Sequence, residues 1–490
     1  MLLPLIIIEN PRSWNLELPG VNVVGAREYL TNPHFHGLRQ AKVFNLCRTY
    51  RHQTLGYYVS LLAGARGHRP LPSVATIQDL RQAPLLRILS EEFDDLVQRA
   101  LRDLRSEAFE LSIYFGHNTA KRYDRIAKAL FNQFPAPLLR AAFVRQDERW
   151  ELQSVRPIAS GEIPPHHREF VAEMAQRYFE RPITVEDTSQ RYRYDLAILF
   201  DPQELYKPST RLAIERFSKA ARTLGIAPSI IDKDDYGRIA EYDALFIRMT
   251  TAVNHFTYRF SRRAAAEGLV VIDDPESILK CGNKVFLAEL FARNKIPCPK
   301  TLVVHRDSVD EVEREIGFPC VVKQPDSAFS RGVAKATEPQ ELRRQLSAVL
   351  ETSELAIVQE YISSPFDWRI GVLGGKALYS CKYHMAKGDW RIMTTSPTGR
   401  TRYGKVESVP LAEAPEGAIQ VGVRAASLIG DGLYGVDIKQ IGKRFLVMEV
   451  NDNPTIEDGL EDAELKEGLY LAVMQHFLEA LEERGRRQDR

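Results

Sequence analysis

The chain has 490 residues, 44% of them hydrophobic and 27% charged, with a formal net charge of +1. This balance is typical of an ordinary soluble protein of about three domains, and it excludes the overall basic field that would favour nucleic acid. The five cysteines show neither metal-ligand nor disulfide-framework spacing, which favours a reducing cytoplasm.

The first predicted element is a strand at residues 5–8. The apolar run that contains it, residues 2–8, is short and lacks a basic leader, so it predicts neither a signal peptide nor a membrane span. A second strand is predicted at 21–24, followed by mostly helical stretches such as 77–82 and 90–105. The Pro-, Gly- and His-bearing residues 157–167 are the best linker candidate.

From Tyr194 the pattern changes to apolar strands that alternate with helices. Strands are predicted at 196–200, 229–231, 244–247 and 269–272, and helices at about 209–224 and 256–267. Such alternation indicates a small parallel α/β unit. After Asp273-Asp274-Pro275 a single helix is predicted over 276–293.

A buried-strand pattern then ends at Lys323 and is followed by a loop of small residues, 326–333. Such a loop can close over phosphates, with backbone N–H groups as donors and the lysine as a point charge. An exposed loop with an incidental lysine is the alternative. No GxxxxGK[ST] or GxGxxG motif occurs, so P-loop and dinucleotide folds lose support.

The next motifs combine apolar strands with polar ends. They are Gln359-Glu360-Tyr361-Ile362, Asp367-Trp368-Arg369 before a Gly374-Gly375 hairpin turn, and Gly388-Asp389-Trp390-Arg391. For Asp367, Arg369, Lys382 and Arg391, a solvated sheet face is the alternative.

A second hairpin is predicted where residues 434–441 and 445–450 alternate around Gly442. It carries Asp437, Glu449 and Asn451, oxygen ligands that suit Mg²⁺. A three-residue loop, 442–444, would set Asp437 opposite Glu449, whereas a two-residue loop would point the carboxylates apart. Metal binding therefore predicts the three-residue loop; a solvated edge hairpin is the alternative.

Taken in order, these motifs resemble the ATP-grasp superfamily over about residues 276–480, and within it the RimK-type ligases, which join amino acids such as glutamate to a carboxylate. Residues 194–275 resemble the α/β domain that precedes ATP-grasp domains. The first 150 residues resemble an extra N-terminal domain of some RimK-like proteins, through the motifs at 45–48, 56–63 and 114–118.

The resemblance implies an α/β protein, α+β in its ligase part, in which two subdomains clasp ATP. The expected domains are a RimK-like N-terminal domain at 1–155, a linker or connecting helix at 156–192, a pre-ATP-grasp domain at 193–275 and an ATP-grasp domain at 276–485, divided into 276–358 and 359–485.

The resemblance also implies roles for individual residues. Phosphate binding is expected of Lys284, Lys323, Ser330, Gly332 and Arg391, and adenosine binding of Gln359, Glu360, Tyr361, Ile362 and Asp367. Asp437, Glu449 and Asn451 would hold Mg²⁺ or Mn²⁺. Arg369, Lys382 and Arg391 are the expected catalytic cations, with Arg369 and Lys382 together stabilising an oxyanion.

The implied activity is that of an acid–amino-acid ligase that forms an amide through an acyl phosphate. ATP, a carboxylate and an amino-acid amine are the expected partners, with no membrane, and residues 1–155 are open to self-association or a partner protein. The chain departs from the family in two places. A Pro-Gly turn usually follows Glu-x-Asn, whereas this chain has Asn451-Asp452-Asn453-Pro454-Thr455, and Ala328-Phe329 stands where glycines are usual. The altered loop and turn make a non-catalytic ATP-responsive scaffold an alternative, and a carboxylate kinase that forms no amide is a third hypothesis.

Overall fold

A computed structural model describes residues 4–14, 16, 18–36, 38, 41–80, 91–179, 192–306, 309–326, 332–395 and 401–488. The chain forms two compact units. Unit 1 consists of Met1–Arg191 with Asp234–Glu241, and unit 2 of Tyr192–Lys233 with Tyr242–Arg490.

Unit 1 contains a parallel sheet and an antiparallel sheet. Its strands are β1 Pro4–Ile8, β2 Asn22–Gly25, β3 Lys42–Asn45, β4 Arg69–Leu71, β5 Ala108–Tyr114, β6 Leu138–Gln146 and β7 Arg149–Pro157. Its helices are α1 Ala26–Thr31, α2 Leu55–Ala65, α3 Val74–Asp79, α4 Glu91–Leu101, α5 Asp124–Gln133 and α6 Arg168–Phe179. The parallel sheet has the order β2-β1-β3-β4 and the antiparallel sheet the order β5-β6-β7.

The helix α6 follows the predicted linker and packs into the core of unit 1. Its buried face presents Val171, Met174, Ala175 and Tyr178 to that core, the i, i+3, i+4, i+7 spacing of an amphipathic helix. The domain boundaries at 155, 192 and 275 stay predictions.

Unit 2 begins with the parallel α/β layer that the alternating pattern predicts. Its elements are β8 Tyr194–Leu199, α7 Arg211–Thr223, β9 Ile226–Ile231, β10 Ala244–Ile247, α8 Phe256–Ala266 and β11 Val270–Ile272. The sheet order is β11-β10-β8-β9, with every pairing parallel. The prediction of a small parallel unit is confirmed.

Two antiparallel sheets follow in unit 2. The first has the order β12-β15-β13-β14, from β12 Thr301–Val304, β13 Cys320–Lys323, β14 Val333–Ala336 and β15 Ala356–Glu360. The second has the order β20-β17-β16-β21-β22, from β16 Phe366–Leu373, β17 Lys376–His384, β20 Val406–Val409, β21 Leu433–Ile441 and β22 Arg444–Asp452. Two short strands pair with each other, β18 Met393–Thr395 and β19 Thr401–Tyr403.

The remaining helices of unit 2 are α9 Pro275–Gly282, α10 Lys284–Arg293, α11 Val309–Glu315, α12 Pro339–Leu350, α13 Glu416–Ser427 and α14 Glu467–Gln488. The expectation of one helix over 276–293 is wrong, because Asn283 divides it. The side chain of Asn283 accepts hydrogen bonds from the N–H groups of Val285 and Phe286, so it ends α9 and caps α10. Lys284 is therefore the first residue of a helix.

The hairpin of β21 and β22 forms with the predicted facing of carboxylates but a different turn. Ile441 pairs with Arg444, so the turn has two residues and the three-residue prediction is wrong. A bulge shifts the register between Asp437 and Ile438, leaves Met448 unpaired and sets Asp437 opposite Glu449. The bulge thus restores the alignment that the shorter turn would have removed.

Among the residues that the structure describes, no helix is both long enough and apolar enough to cross a membrane.

Candidate active site

One face of the five-stranded sheet carries a compact charged cluster on β16, β21 and β22. Asp437 accepts two hydrogen bonds from Arg369, from Nε to Oδ1 at 2.5 Å and from Nη2 to Oδ2 at 2.9 Å. Asn451 donates its Nδ2 to Asp437 Oδ2 and to the Gly435 carbonyl, both at 3.2 Å. Register explains these contacts, because Arg369 and Glu449 are the direct cross-strand partners of Asp437.

The two facing carboxyl groups differ in acidity. Burial raises the pKa of Asp437 to about 6 against the pull of Arg369, and the charge of Glu449 raises it as well. Burial also raises the pKa of Glu449, but the cations Lys284, Lys323 and Arg369 outweigh it, and the net shift is downward. Glu449 is thus the carboxylate of the pair that the surrounding cations hold ionised.

Two of the predicted phosphate-binding residues, Lys284 and Lys323, line one cleft together with Glu449. The cleft is lined by Lys284, Leu287, Ala288, Phe291, Cys298, Thr301, Lys323, Ile357, Gln359, Met448 and Glu449. Lys284 comes from the start of α10, where its N–H donates to the Pro325 carbonyl at 3.0 Å. The cleft therefore joins residues of the first antiparallel sheet to the hairpin of the second.

Lys323 is held in place by Gln359, which was predicted as an adenosine-binding residue. Lys323 Nζ donates to Gln359 Oε1 at 2.8 Å, and Gln359 Nε2 donates to Thr301 Oγ1 at 2.9 Å. Burial lowers the pKa of Lys323 to about 8, a shift that Glu449 opposes and Lys284 reinforces. With a pKa of about 8, Lys323 is mostly a cation at neutral pH.

The end of β15 and the residues that follow it provide three more predicted adenosine residues, Glu360, Tyr361 and Ile362. Glu360 N–H donates to the Lys300 carbonyl at 2.9 Å, and Tyr361 N–H to the Pro319 carbonyl at 3.3 Å. Lys335 Nζ lies 3.7 Å from the centre of the Tyr361 ring. Ile362 is half-buried at the end of the segment.

Asp367, which was also predicted to bind adenosine, is buried in an ion pair with Lys439. Lys439 Nζ donates to Asp367 Oδ1 at 2.6 Å, and Ser364 Oγ contacts both residues. Lys439 follows Asp437 by two positions on β21, so it lies on the same face of the sheet.

Arg391 belongs to a loop that also borders a separate pocket. Asp389 accepts from Arg391 Nε at 3.0 Å and from Nη2 at 2.9 Å. The pocket, of about 430 Å³, is lined by Tyr361, Ser363, Ser364, Pro365, Met385, Gly388, Asp389 and Trp390. Arg391 is thus paired with Asp389, a residue of the pocket lining two positions earlier in the chain.

Lys382 lies on the opposite face of the five-stranded sheet from Arg369. Its cross-strand partner is Trp368, whereas the partner of Arg369 is Cys381. Lys382 Nζ lies 3.4 Å from Glu407 and 5.3 Å from the Trp368 ring centre. The hypothesis that Arg369 and Lys382 act on one oxyanion is therefore not supported by this geometry.

Two residues of the loop 326–333, Ser330 and Gly332, were expected to bind phosphate. Gly332 has a φ of +60° and its carbonyl accepts from Gln324 N–H at 2.9 Å. Ser330 lies outside the described residues, as do Ala328 and Phe329.

Sequence reasoning missed Thr301 and Lys439, which hold Gln359 and Asp367. The signal for Lys439 was its two-residue spacing from Asp437 on a strand. Thr301 carried no such signal, because its contact with Gln359 depends on the pairing of β12 with β15.

The donor set of the hairpin fits Mg²⁺. Two carboxylates face each other, and an amide lies beside them, which gives the oxygen ligands that this ion prefers. The described part of the chain holds no group of three or more His, Cys, Asp or Glu side chains placed for a metal. Oxygens from Asn451, water or phosphate would therefore complete the shell, as is usual for Mg²⁺.

Two antiparallel sheets meet at one cleft, which carries Lys284 and Lys323 on one side and the carboxylate of Glu449 on the other, the arrangement of an ATP-grasp enzyme. Family models agree: residues 281–469 match the RimK-like ATP-grasp domain and residues 26–174 the RimK-like ATP-grasp N-terminal domain.

Similar proteins include a probable alpha-L-glutamate ligase of Serratia proteamaculans, 30% identical over 253 residues, which are 51% of this chain and 79% of the relative. An alpha-aminoadipate–LysW ligase LysX of Sulfolobus acidocaldarius is 30% identical over 191 residues, 38% of this chain and 66% of the relative. Among solved structures, an ATP-grasp RimK domain protein of Sphaerobacter thermophilus has a TM-score of 0.44 at 14% identity, covering 58% of this chain and 98% of that one.

The chain belongs to the RimK-like ATP-grasp family and carries the N-terminal domain of that family. It is a carboxylate–amine ligase that uses ATP and Mg²⁺.

Proposed function

We propose that this ligase joins an amino acid such as glutamate to the carboxylate of a protein, a peptide or a small molecule through an acyl phosphate. The observation that carries the proposal is the shared cleft, in which Lys284 and Lys323 accompany Glu449, with Asp437 directly opposite Glu449. The names of the relatives support an amino-acid substrate.

In the proposed reaction a carboxylate oxygen attacks the γ-phosphorus of ATP, and ADP leaves. The amine nitrogen then attacks the acyl carbon, phosphate leaves, and the nitrogen loses a proton. Lys284 and Lys323 would bind the phosphates and spread the charge that develops during transfer. Arg391 and Gly332 would contribute from the surrounding loops, and Ser330 belongs to the same proposal.

Asp437, Glu449 and Asn451 would hold Mg²⁺, which neutralises phosphate charge when bound. Arg369 would act by orienting Asp437, given the two hydrogen bonds between them. Lys382 remains a proposed catalytic cation only for a substrate that reaches the other face of its sheet. Gln359, Glu360, Tyr361, Ile362 and Asp367 would line the adenosine site, and Gln359 would also orient Lys323.

The wider assignments also belong to this proposal. The N-terminal domain would bind the acceptor, a partner protein or a second copy of the chain. A cytoplasmic location is supported by the five free cysteines.

Incubation of the purified protein with Mg²⁺, ATP and amino acids tests the proposal. Amine-stimulated ADP release, with a product mass absent from Glu449→Ala, is the expected result. Nucleotide binding without turnover would instead identify an ATP-responsive scaffold. Amine-independent ADP release, with an acyl phosphate trapped by hydroxylamine, would identify a carboxylate kinase.

A further inference from the structure

Arg248 is a completely buried arginine within unit 2, at 0% exposure. Its Nη1 donates to Asn453 Oδ1 at 2.7 Å, and its Nη2 to the carbonyls of Pro208 and Pro454, both at 2.8 Å. Ser209 Oγ accepts from Nε at 3.0 Å and from Nη2 at 2.8 Å. A buried guanidinium is costly unless such bonds satisfy it, so this network holds specific segments together.

The network fills a place where open α/β sheets bind ligands. Arg248 directly follows β10, and its N–H donates to the Leu199 carbonyl at the end of β8 at 2.9 Å. The chain leaves β8 for β9 on one side, while β10 lies on the other, so the carboxyl ends of β8 and β10 flank the topological switch point. Here the chain's own Arg248 and the turn after β22 occupy this position.

That turn is the segment in which the chain departs from the family pattern. Asn453 has a φ of +46°, a left-handed conformation that asparagine tolerates better than most residues. Its Nδ2 donates to the Met249 carbonyl at 2.5 Å, next to Arg248. The following residues are also anchored, since Ile456 N–H donates to the Pro208 carbonyl at 2.8 Å.

The anchored turn adjoins the proposed metal site directly. Asn453 follows Asn451 by two residues at the end of β22. A Cβ atom on Gly435 would lie 2.8 Å from Pro454 Cβ and 2.9 Å from Arg369 Cδ, so these residues pack with no space to spare. A shift of the turn would therefore displace Asn451, and Arg369 with its partner Asp437.

We propose that Arg248 is a positioning residue for the metal and nucleotide site: it fixes the Asn453-Pro454 turn, and through it the placement of Asn451, Arg369 and Asp437. This inference rests on the proposed function for the role of the hairpin. Arg248 would act without touching ATP or substrate, as residues behind metal ligands do in other sites.

Two substitutions remove the hydrogen bond between Arg248 and Asn453, one from each side. Arg248→Lys keeps the positive charge but loses the planar fork of donors. Asn453→Gly keeps the left-handed backbone accessible and removes only the side chain. Arg484→Lys is the matched control. Arg484 donates to the carbonyls of Asp243 and Gly268, which precede β10 and β11 and so lie at the amino ends of the same parallel sheet.

The measurement is the affinity for ADP, titrated by calorimetry at a series of Mg²⁺ concentrations. In wild type, Mg²⁺ should enhance the affinity for ADP. We expect Arg248→Lys and Asn453→Gly each to raise, by about tenfold, the Mg²⁺ concentration that gives half of this enhancement. In these two variants the ADP affinity without Mg²⁺ should change less than about twofold. In Arg484→Lys, both this affinity and the half-maximal Mg²⁺ concentration should stay within about twofold of wild type. The double variant should be no worse than about the poorer single variant, because both changes remove the same contact.

The outcomes separate this inference from the proposed function. If the wild-type protein shows no Mg²⁺-dependent ADP binding, the metal assignment fails and this inference fails with it. If the wild-type protein shows that dependence, and the Mg²⁺ dependence of ADP affinity in Arg248→Lys and Asn453→Gly equals that in Arg484→Lys, only the role of Arg248 is overturned. Should Arg248→Lys not fold, Asn453→Gly alone decides between these results.

Discussion

Lys323 is half-buried and lines one cleft with a carboxylate, Glu449, and a second lysine, Lys284. Replacing Lys323 or Asp437 by alanine should lower the rate of ligation at least about a hundredfold, comparable to the loss of one preorganised electrostatic group. The exposed Lys376 at the start of β17 is a suitable control, and Lys376→Ala should retain wild-type rates. Steady-state ADP release measures all three, and full activity of Lys323→Ala would remove that residue from the mechanism.

The same lysine predicts a pH dependence. Because burial lowers its pKa to about 8, Lys323 loses its proton as the pH rises through that value, and phosphate then loses a cationic partner. ADP affinity should therefore fall above about pH 8, where binding takes up a proton. Calorimetry in buffers of different ionisation enthalpy measures both effects.

Lys323→Arg tests the assignment, because arginine stays protonated across this range. Its ADP affinity should remain flat between about pH 7 and pH 9. A wild-type protein with equally flat affinity would contradict the titration of Lys323.

Among the secondary-structure elements, α10 depends on its first turn. Asn283 caps this helix and also donates to Asp326 Oδ1 at 2.7 Å, and Asp326 is the first residue of the loop 326–333 that is predicted to close over phosphates. Asn283→Ala should cost about 1 kcal/mol in the free energy of unfolding. It should also weaken ADP binding, since Lys284 begins the uncapped turn.

Asn294 at the other end of α10 provides the control. It donates to the Leu290 carbonyl at 2.8 Å, away from the cleft. Asn294→Ala should leave ADP affinity unchanged, and equal losses of affinity in both variants would show that the position of Lys284 does not depend on the cap. Thermal unfolding and calorimetry supply the two measurements.

The element level also shows how far the sequence predicts this structure. The facing of Asp437 and Glu449 was expected from metal binding, through a three-residue loop that the hairpin does not have. Strand alternation in unit 2 followed from local patterns, because side-chain period and β-branched residues report it directly. The two-residue turn and the bulge at Met448 did not, since methionine has no preference that marks a bulge. The position of Asn283 did carry a signal, Gly-Asn before Lys, that the continuous hydrophobic pattern concealed.

Contacts distant in sequence were the part that could not be predicted. The pair of Asp367 with Lys439 and the network of Arg248 join residues 72 and more than 200 positions apart. Which face of the sheet Lys382 occupies likewise depends on a register shared by β16 and β17. Both Lys382 and Arg369 are cations on adjacent strands, so residue type gave them the same predicted role. The strand pairing places them on opposite faces of the sheet.

At the scale of the whole molecule, unit 1 depends on a buried ion cluster. Glu241 pairs with Lys42 and Arg238, and these cations lower its pKa although burial raises it. Glu241→Gln should reduce the free energy of unfolding by about 3–5 kcal/mol at neutral pH, because it leaves buried charge uncompensated. Denaturant titration measures this loss.

The sign of the pKa shift fixes the pH dependence of that loss. A lowered folded pKa gives stability that is present above the unfolded value, about 4.3, and is lost as the pH falls through the folded value. The difference between the wild type and Glu241→Gln should therefore shrink in acid. The exposed pair of Lys128 and Asp234 is the control, and Asp234→Asn should cost less than about 1 kcal/mol.

Unit 1 is built from two stretches of chain, Met1–Arg191 and Asp234–Glu241. A fragment that stops at residue 191 would lack Glu241 and with it the ion pair between Lys42 and Glu241. Attempts to express the N-terminal half for binding assays should therefore splice the second stretch back through a short artificial connector. Exchanging N-terminal halves between relatives would have to transfer both stretches at once.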